Sequence, residues 1–304
     1  MRIFHWCQQG LDFLRELYRL PQVIEAQMLL QGKVLSENVK KMENIVSLSD
    51  VEFKVFSQFG DDGIIQWLIC HLDIPHRTFV EFGVEDYHES NTRFLLFKDN
   101  WAGFIMDGSE RNISRIVRSG YYWKYALIAR SVFVDRDNIN TILAECPFDH
   151  EVGILHIDLD GVDYWIWDEI NSLSPVIVIL EYNSMFGNER AITVPYDKKF
   201  SRTKAHFSNL YWGASLPALR HLSARKGYAF VGSNSAGNNA YFVRVDKLNS
   251  IVMETSTDVG YVESKYREGR DMQGNLTYAM GRDCLDLIRG LPVYNVISEQ
   301  MEVL

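Results

Sequence analysis

Two sets of carboxylates stand where α/β proteins commonly do chemistry. The first is Glu81 with Asp107. Glu81 lies inside the apolar run 79–82, which Gly83 closes, and Asp107 closes a second apolar run, 103–106. Between them Ser90-Asn91-Thr92 is a run of helix-capping residues, and Phe94, Leu95, Leu96 and Phe97 after it supply a buried helical face. Strand, tight turn, helix and second strand, with an acid about twenty residues past the turn, make half of a mononucleotide fold; that acid is placed to accept both hydroxyls of a ribose. Asn91, Gly108 and Ser109 sit in the same two turns and join the candidate cofactor set. Only Gly83 survives of the three glycines that cradle a pyrophosphate, and no G-x-x-x-x-G-K-S/T loop occurs. Loss of the phosphate cradle with retention of the ribose acid points to S-adenosyl-L-methionine rather than NAD or ATP. The plainer reading is that Glu81 and Asp107 cap strands of some other α/β domain.

The second set follows the apolar runs 152–158 and 176–181. The first of these ends in Asp158-Leu159-Asp160-Gly161-Val162-Asp163, the second in Glu181-Tyr182-Asn183. Carboxylates ending adjacent parallel strands share the crevice where open sheets bind ligands, and with an amide they can hold a hard cation such as Mg2+. Asp160, Glu181 and Asn183 are the candidate metal ligands. Asp158 and Asp160 alternate along one strand, so one faces the site and the other supports it. Asp158 is therefore a candidate catalytic residue, although Asp160 or Asp163 can equally cap a helix at 164–170. Residues 193–215 form a long polar and aromatic loop, the kind that serves as a lid or substrate wall, and His206 within it is the candidate general base. Asp135 and Asp137 leave a strand at 125–134 where an adenine is often bounded, or else cap a helix at 139–144.

Several elements must position these groups. In the segment 56–72 Asp61 or Asp62 can cap a helix whose buried face holds Ile64, Ile65, Leu68 and Ile69, leaving Ser57 and Gln58 in the loop before it, with Gln58 in reach of a cofactor. Residues 227–246 read as two strands joined by a Ser/Asn/Gly turn. Residues 1–48 carry apolar residues at helical spacing, broken at Pro21 and Gly32, so two or three helices are expected. They pack on the main domain, pair with a second copy in a homodimer, or lie on a membrane with Phe4, Trp6, Phe13 and Leu14 inserted. This extension is expected to be dispensable for a domain at 49–304, whose tail, 250–304, carries Lys265, Arg267, Arg270 and Arg282.

The chain has 304 residues, 47% hydrophobic, and a net charge of −9, which argues against a general nucleic-acid surface. Cys7, Cys70, Cys146 and Cys284 are scattered without C-x-x-C spacing, which speaks against structural zinc and a secreted disulfide scaffold. No apolar run is long enough to span a membrane, and Cys7-Gln8-Gln9-Gly10 interrupts what would be a signal-peptide core. A cytoplasmic location is expected.

The segments FSQFGDDG, FVEFGVEDYHESNT, GFIMDGS and ILHIDLDGVDYWIW, in that order over roughly residues 56–183, resemble the FkbM-like family of S-adenosylmethionine-dependent methyltransferases. The resemblance implies an α/β, class I Rossmann-like fold: a seven-stranded, mostly parallel sheet with an antiparallel last strand, here following an N-terminal helical extension. It places Glu81 and Gly83 beside the methionine part of the cofactor and Asp107 on the ribose. It implies O-methyl transfer to a sugar, glycan or natural product. The turn usually rich in glycine is acidic here, VEDYHE, and the ribose acid is Asp where Glu is common. Related metal-dependent sugar O-methyltransferases place carboxylates similar to Asp160 and Glu181, with Asn183. Two other classes fit parts of the pattern: a non-catalytic methyltransferase-like scaffold, and a haloacid-dehalogenase-like phosphatase, whose D-x-D-G-V loop HIDLDGV resembles.

Overall fold

The computed structural model describes residues 2–304, with side chains from Arg19 onward. Among the described residues ten strands form: β1 (Thr78–Phe82), β2 (Ala102–Asp107), β3 (Leu127–Ser131), β4 (Ile154–Ile157), β5 (Ile177–Glu181), β6 (Ile192–Thr193), β7 (Tyr228–Ser233), β8 (Asn239–Arg244), β9 (Pro292–Asn295) and β10 (Gln300–Val303). Seven of them make one sheet in the order β3-β2-β1-β4-β5-β8-β7. The first five in that order run parallel, and β8 is antiparallel to both of its neighbours. This is the class I methyltransferase topology, with the antiparallel pair where the Ser/Asn/Gly turn predicted it. Strands β6, β9 and β10 form a second, small sheet.

The strands at the centre are apolar on both faces because both are covered. One face, with Val80, Phe82, Leu155, Ile157, Val178 and Leu180, meets the helices α5 (Ile139–Leu143) and α6 (Asp163–Glu169) and the segment Leu216–Arg225. The other, with Phe79, Ile105, Ile154, Ile177 and Ile179, meets α2 (Asp61–His71), α3 (Arg93–Asp99) and α4 (Glu110–Arg118). Glu81 and His156 break the apolar pattern on this second face, at its carboxyl edge.

Two expectations about helices are corrected. Residues 2–39 are one helix, α1 (Arg2–Val39), with Pro21 inside it. A proline removes one hydrogen bond, and Pro21 lies in an exposed stretch, 19–24, where the helix continues through it. Gly32 is no break: a Cβ there would meet Val55 Cγ2 at 2.5 Å and Phe94 Cζ at 2.8 Å, so it lets the helix lie close on the domain. Second, neither Asp61 nor Asp62 caps α2. Asp62 accepts the backbone N–H groups of Val55, Phe56 and Ser57 at 2.7–2.8 Å, fixing the loop that carries Gln58. Asp61 accepts from Asn234, Asn239 and Tyr241, tying α2 to the β7–β8 hairpin.

Helix α1 meets the domain through the stripe Glu25, Met28, Leu29, Gly32, Ser36 and Val39. Glu25 pairs with the buried Arg93 at 3.0 Å, and the Arg93 guanidinium lies 4.4 Å from the Phe56 ring. A chain beginning at residue 50 would lose Val39 and Leu48, whose burial is worth about 3–6 kcal/mol together, and would uncover Phe94. It is expected to melt well below the full chain, and an unchanged melting temperature would show the extension to be separable. The side chains of Phe4, Trp6, Phe13 and Leu14, the expected inserted face, lie outside those described. No helix is long and apolar enough to cross a membrane, among the described residues.

Candidate active site

Because β1, β2, β4 and β5 run parallel, Gly83, Asp107, Asp158 and Glu181 all arrive at one edge of the sheet. They line a cleft of about 900 Å³, within the range of small-molecule sites. Gln58, Glu81, Asn91, Gly108, Asp160 and Asn183 line it too; Ser109, Asp135 and His206 do not.

The turn after β1 approaches β4 so closely that a Cβ on Gly83 would overlap the Asp158 carbonyl oxygen, and Gly83 adopts φ 74°. Glu85 and Tyr87 also take positive φ, at 47° and 62°, so the turn keeps a glycine-like backbone without the glycines. Glu81 is saturated. Ser90 Oγ (2.7 Å), Thr92 Oγ1, the Asn91 N–H (3.2 Å) and His156 Nδ1 (2.9 Å) all approach its two oxygens. Burial pushes the Glu81 carboxyl up, but these bonds, His156 foremost, hold it below its ordinary value. Burial likewise opposes charge on His156, and Glu81 more than compensates, so the imidazole is raised.

At the end of β2, Asp107 accepts the N–H groups of Ser109 (2.8 Å) and Glu85 (2.9 Å) and the Asn112 side chain (3.3 Å). Ser109 itself caps α4, its hydroxyl accepting from the Asn112 N–H. Asp135 is turned away from the cleft, holding the N–H groups of Asp137 and Asn138 and pairing with Lys198 at 2.9 Å. The wall on this side is Val132, Phe133 and Val134, a surface suited to a flat base.

At the ends of β4 and β5, Asp158, Asp160 and Glu181 each place a carboxylate oxygen within 4.8 Å of the others. Asn183 is not the third member. Its amide donates to the Leu210 and Trp212 carbonyls and accepts from the Met185 N–H, and Asp158 stands with the other two acids instead. Asp163 caps no helix either; it accepts from the N–H groups of Leu159 (2.8 Å) and Gly161 (3.0 Å) and so shapes the loop that presents Asp160. Burial above all raises Asp158 and Glu181; at Asp158 the His156 charge opposes this while Asp163, Asp160 and Glu81 add to it, and at Glu181 the charge of Asp158 adds to it. A carboxyl raised on folding costs stability once ionised, a cost absent below its unfolded value and complete above its folded one. For Asp158, raised from 3.8 to about 7, Asp158→Asn is expected to raise the melting temperature in chelator at pH 8. The gain should shrink as pH falls through 7 towards 4; a gain constant with pH would contradict it.

His206 lies outside the cleft, its Nδ1 2.8 Å from Ser208 Oγ and its ring against Phe207, and burial lowers it. The long loop contributes Lys198, Phe200, Arg202 and Trp212 to the cleft instead. Arg202 pairs with Glu268, lies 3.6 Å from Asp160 and sits over the Trp212 ring. Residues with no role expected from the sequence complete the wall: His156 on β4, Asn238 and Asn239 from the hairpin, and Ser264, Tyr266 and Glu268 from the tail. Tyr266 stacks on Phe59 across the mouth, with ring centroids 4.7 Å apart. Only His156 left a signal in the sequence, as a polar residue in a buried run two places before Asp158.

No protein-family model matches the chain, and no curated protein matches it. Solved structures do. The N-terminal domain of EvdMO1 with SAH bound has a TM-score of 0.38 and 10% identity over 69% of this chain and 94% of that one. DszA carbon methyltransferase has a TM-score of 0.39 and 13% identity over 64% and 54%. A SAM-dependent methyltransferase from Aquifex aeolicus has a TM-score of 0.33 and 10% identity over 69% and 98%. The fold assignment rests on this chain's own strand order and polarity.

Proposed function

We propose that this protein is an S-adenosylmethionine-dependent O-methyltransferase acting on a hydroxyl of a sugar, glycan or natural product, in the cytoplasm. The observation that carries the reading is one cleft holding both carboxylate sets at the parallel edge, with the ribose acid Asp107 retained and no phosphate cradle. In this reading Asp107 accepts from the ribose, and Val132 to Val134 cover the adenine. The acceptor lies towards Asp158 and Glu181, with Phe200, Trp212 and Tyr266 excluding water.

The acid set fits a hard divalent cation such as Mg2+. It is all oxygen, and among the described residues Asp158 receives no hydrogen bond and Glu181 only one, from Asn238 at 3.5 Å. Asp158, Asp160 and Glu181 would hold it. When bound, such an ion supplies positive charge that anchors neighbouring hydroxyls and lowers the pKa of the one to be methylated. Asp158, which stands beside both other acids at the end of β4, is the group to take the proton.

Pairing of two copies through α1 belongs to the same reading. Val23, Leu30 and Val34 are exposed on the side of α1 opposite its contact with the domain, with Leu20, Ile24 and Leu35 exposed on one flank.

Calorimetry of S-adenosylmethionine binding tests the central claim. Asp107→Ala should weaken it at least tenfold, the effect of losing a charge-assisted hydrogen bond. Unchanged affinity in a folded variant would sink the assignment.

A further inference from the structure

Glu81 has no lone pair left for a ligand: two donors approach Oε1 and two approach Oε2. What Glu81 does is hold the 90–92 turn against the sheet. Ser90 and Asn91 of this turn line the cleft; the Ser90 hydroxyl donates to Glu81, and the Asn91 side chain is oriented by His156. Glu81 and His156 are register partners on β1 and β4, so their side chains share a face. The imidazole bridges them, with Nδ1 on Glu81 and Nε2 3.2 Å from Asn91 Nδ2. A carboxylate only accepts, so in the neutral ring Nδ1 carries the hydrogen and Nε2 accepts from the amide nitrogen; the Oδ1 of Asn91, a residue lining the cleft, is then left without a donor among the described residues.

The strand order gives the direction of a ligand. The apolar base wall follows β3, Asp107 ends β2, and the next groups along the edge are Gly83, Asn91 and His156 at β1 and β4. A nucleoside whose base lies at β3 and whose ribose lies at β2 brings its 5′ substituent to Asn91. In S-adenosylmethionine that substituent ends in an amino acid with an ammonium group.

We infer that His156 is a positioning residue: it turns the Asn91 amide so that Oδ1 accepts a hydrogen bond from the ammonium group of the cofactor's amino-acid end. The inference rests on the cofactor reading above.

Calorimetry on the full chain with S-adenosylhomocysteine and with 5′-methylthioadenosine, which lacks the amino acid, tests it. Asparagine can keep the donor to Glu81 but cannot reach Asn91; glutamine can keep an acceptor towards Asn91 but not the Glu81 bond. His156→Asn should weaken S-adenosylhomocysteine about tenfold, as loss of one charge-assisted hydrogen bond does, and leave methylthioadenosine and the melting temperature nearly unchanged. His156→Gln should lower the melting temperature yet keep the affinity. Asn91→Ala should match His156→Asn, and the two changes together should add nothing further. Equal weakening of both ligands, or affinity that tracks melting temperature, would show a merely structural role and overturn the inference. If the wild type binds neither ligand, the cofactor reading falls and the inference with it.

Discussion

Asp160→Asn and Glu181→Gln are each expected to abolish methyl transfer while leaving S-adenosylmethionine affinity nearly intact. The three acids lie within 4.8 Å of one another, and a cation shared among so few ligands is lost with any one of them. The nucleoside groups at Asp107 and the 132–134 wall are made by other strands, so cofactor binding should survive. The loss in turnover should exceed about a thousandfold, since a hydroxyl is a weak nucleophile until its proton is removed or its pKa lowered. Transfer of labelled methyl groups to a panel of sugar nucleotides and glycan fragments, with each variant and with the wild type in chelator, measures this. Full wild-type activity in chelator would refute the metal and leave Asp158 to accept the proton unaided. Loss of cofactor affinity in either variant would mean the acids belong to the cofactor's site.

Gly83→Ala should have the largest effect on the fold of any single methyl addition. At φ 74° an alanine is strained by about 1 kcal/mol. The added carbon would also overlap the Asp158 carbonyl, a backbone atom that can retreat only if β1 and β4 separate at the edge. Those strands are hydrogen-bonded neighbours from Phe79 to Phe82, so separation breaks the ladder beside the Glu81–His156 pair. Several kcal/mol of lost stability and loss of nucleoside binding are expected, with overpacking alone costing about 1–3 kcal/mol. Gly108→Ala is the control. It too lines the cleft, and the nearest atom to a Cβ there is Phe133 Cδ2 at 3.6 Å, so it should melt close to the wild type. Equal melting temperatures for the two variants would contradict the argument.

The apolar runs and their bounding residues were enough to place the strands of the main sheet and the acids at their ends, because a strand buried on both faces leaves a local signature in its own residues. The Ser/Asn/Gly turn likewise carried the antiparallel hairpin. What those residues could not carry was partnership. Glu81 and His156 are separated by 75 positions, and it is the β1–β4 register that makes them a pair. Asn183 looked like a metal ligand next to Glu181, yet two carbonyls from the 193–215 loop hold its amide nitrogen and the Met185 N–H donates to its oxygen. His206 had the right chemistry in the right loop and points elsewhere, while the tail closed the mouth with Tyr266 from a stretch that reads as merely charged. Helix α1 ran through Pro21 and Gly32 because the proline faces solvent and the glycine fits under Val55 and Phe94. Hydrophobic periodicity is written residue by residue along the chain; a polar group's role depends on which distant donors and acceptors reach it first, and only the folded arrangement of loops decides that.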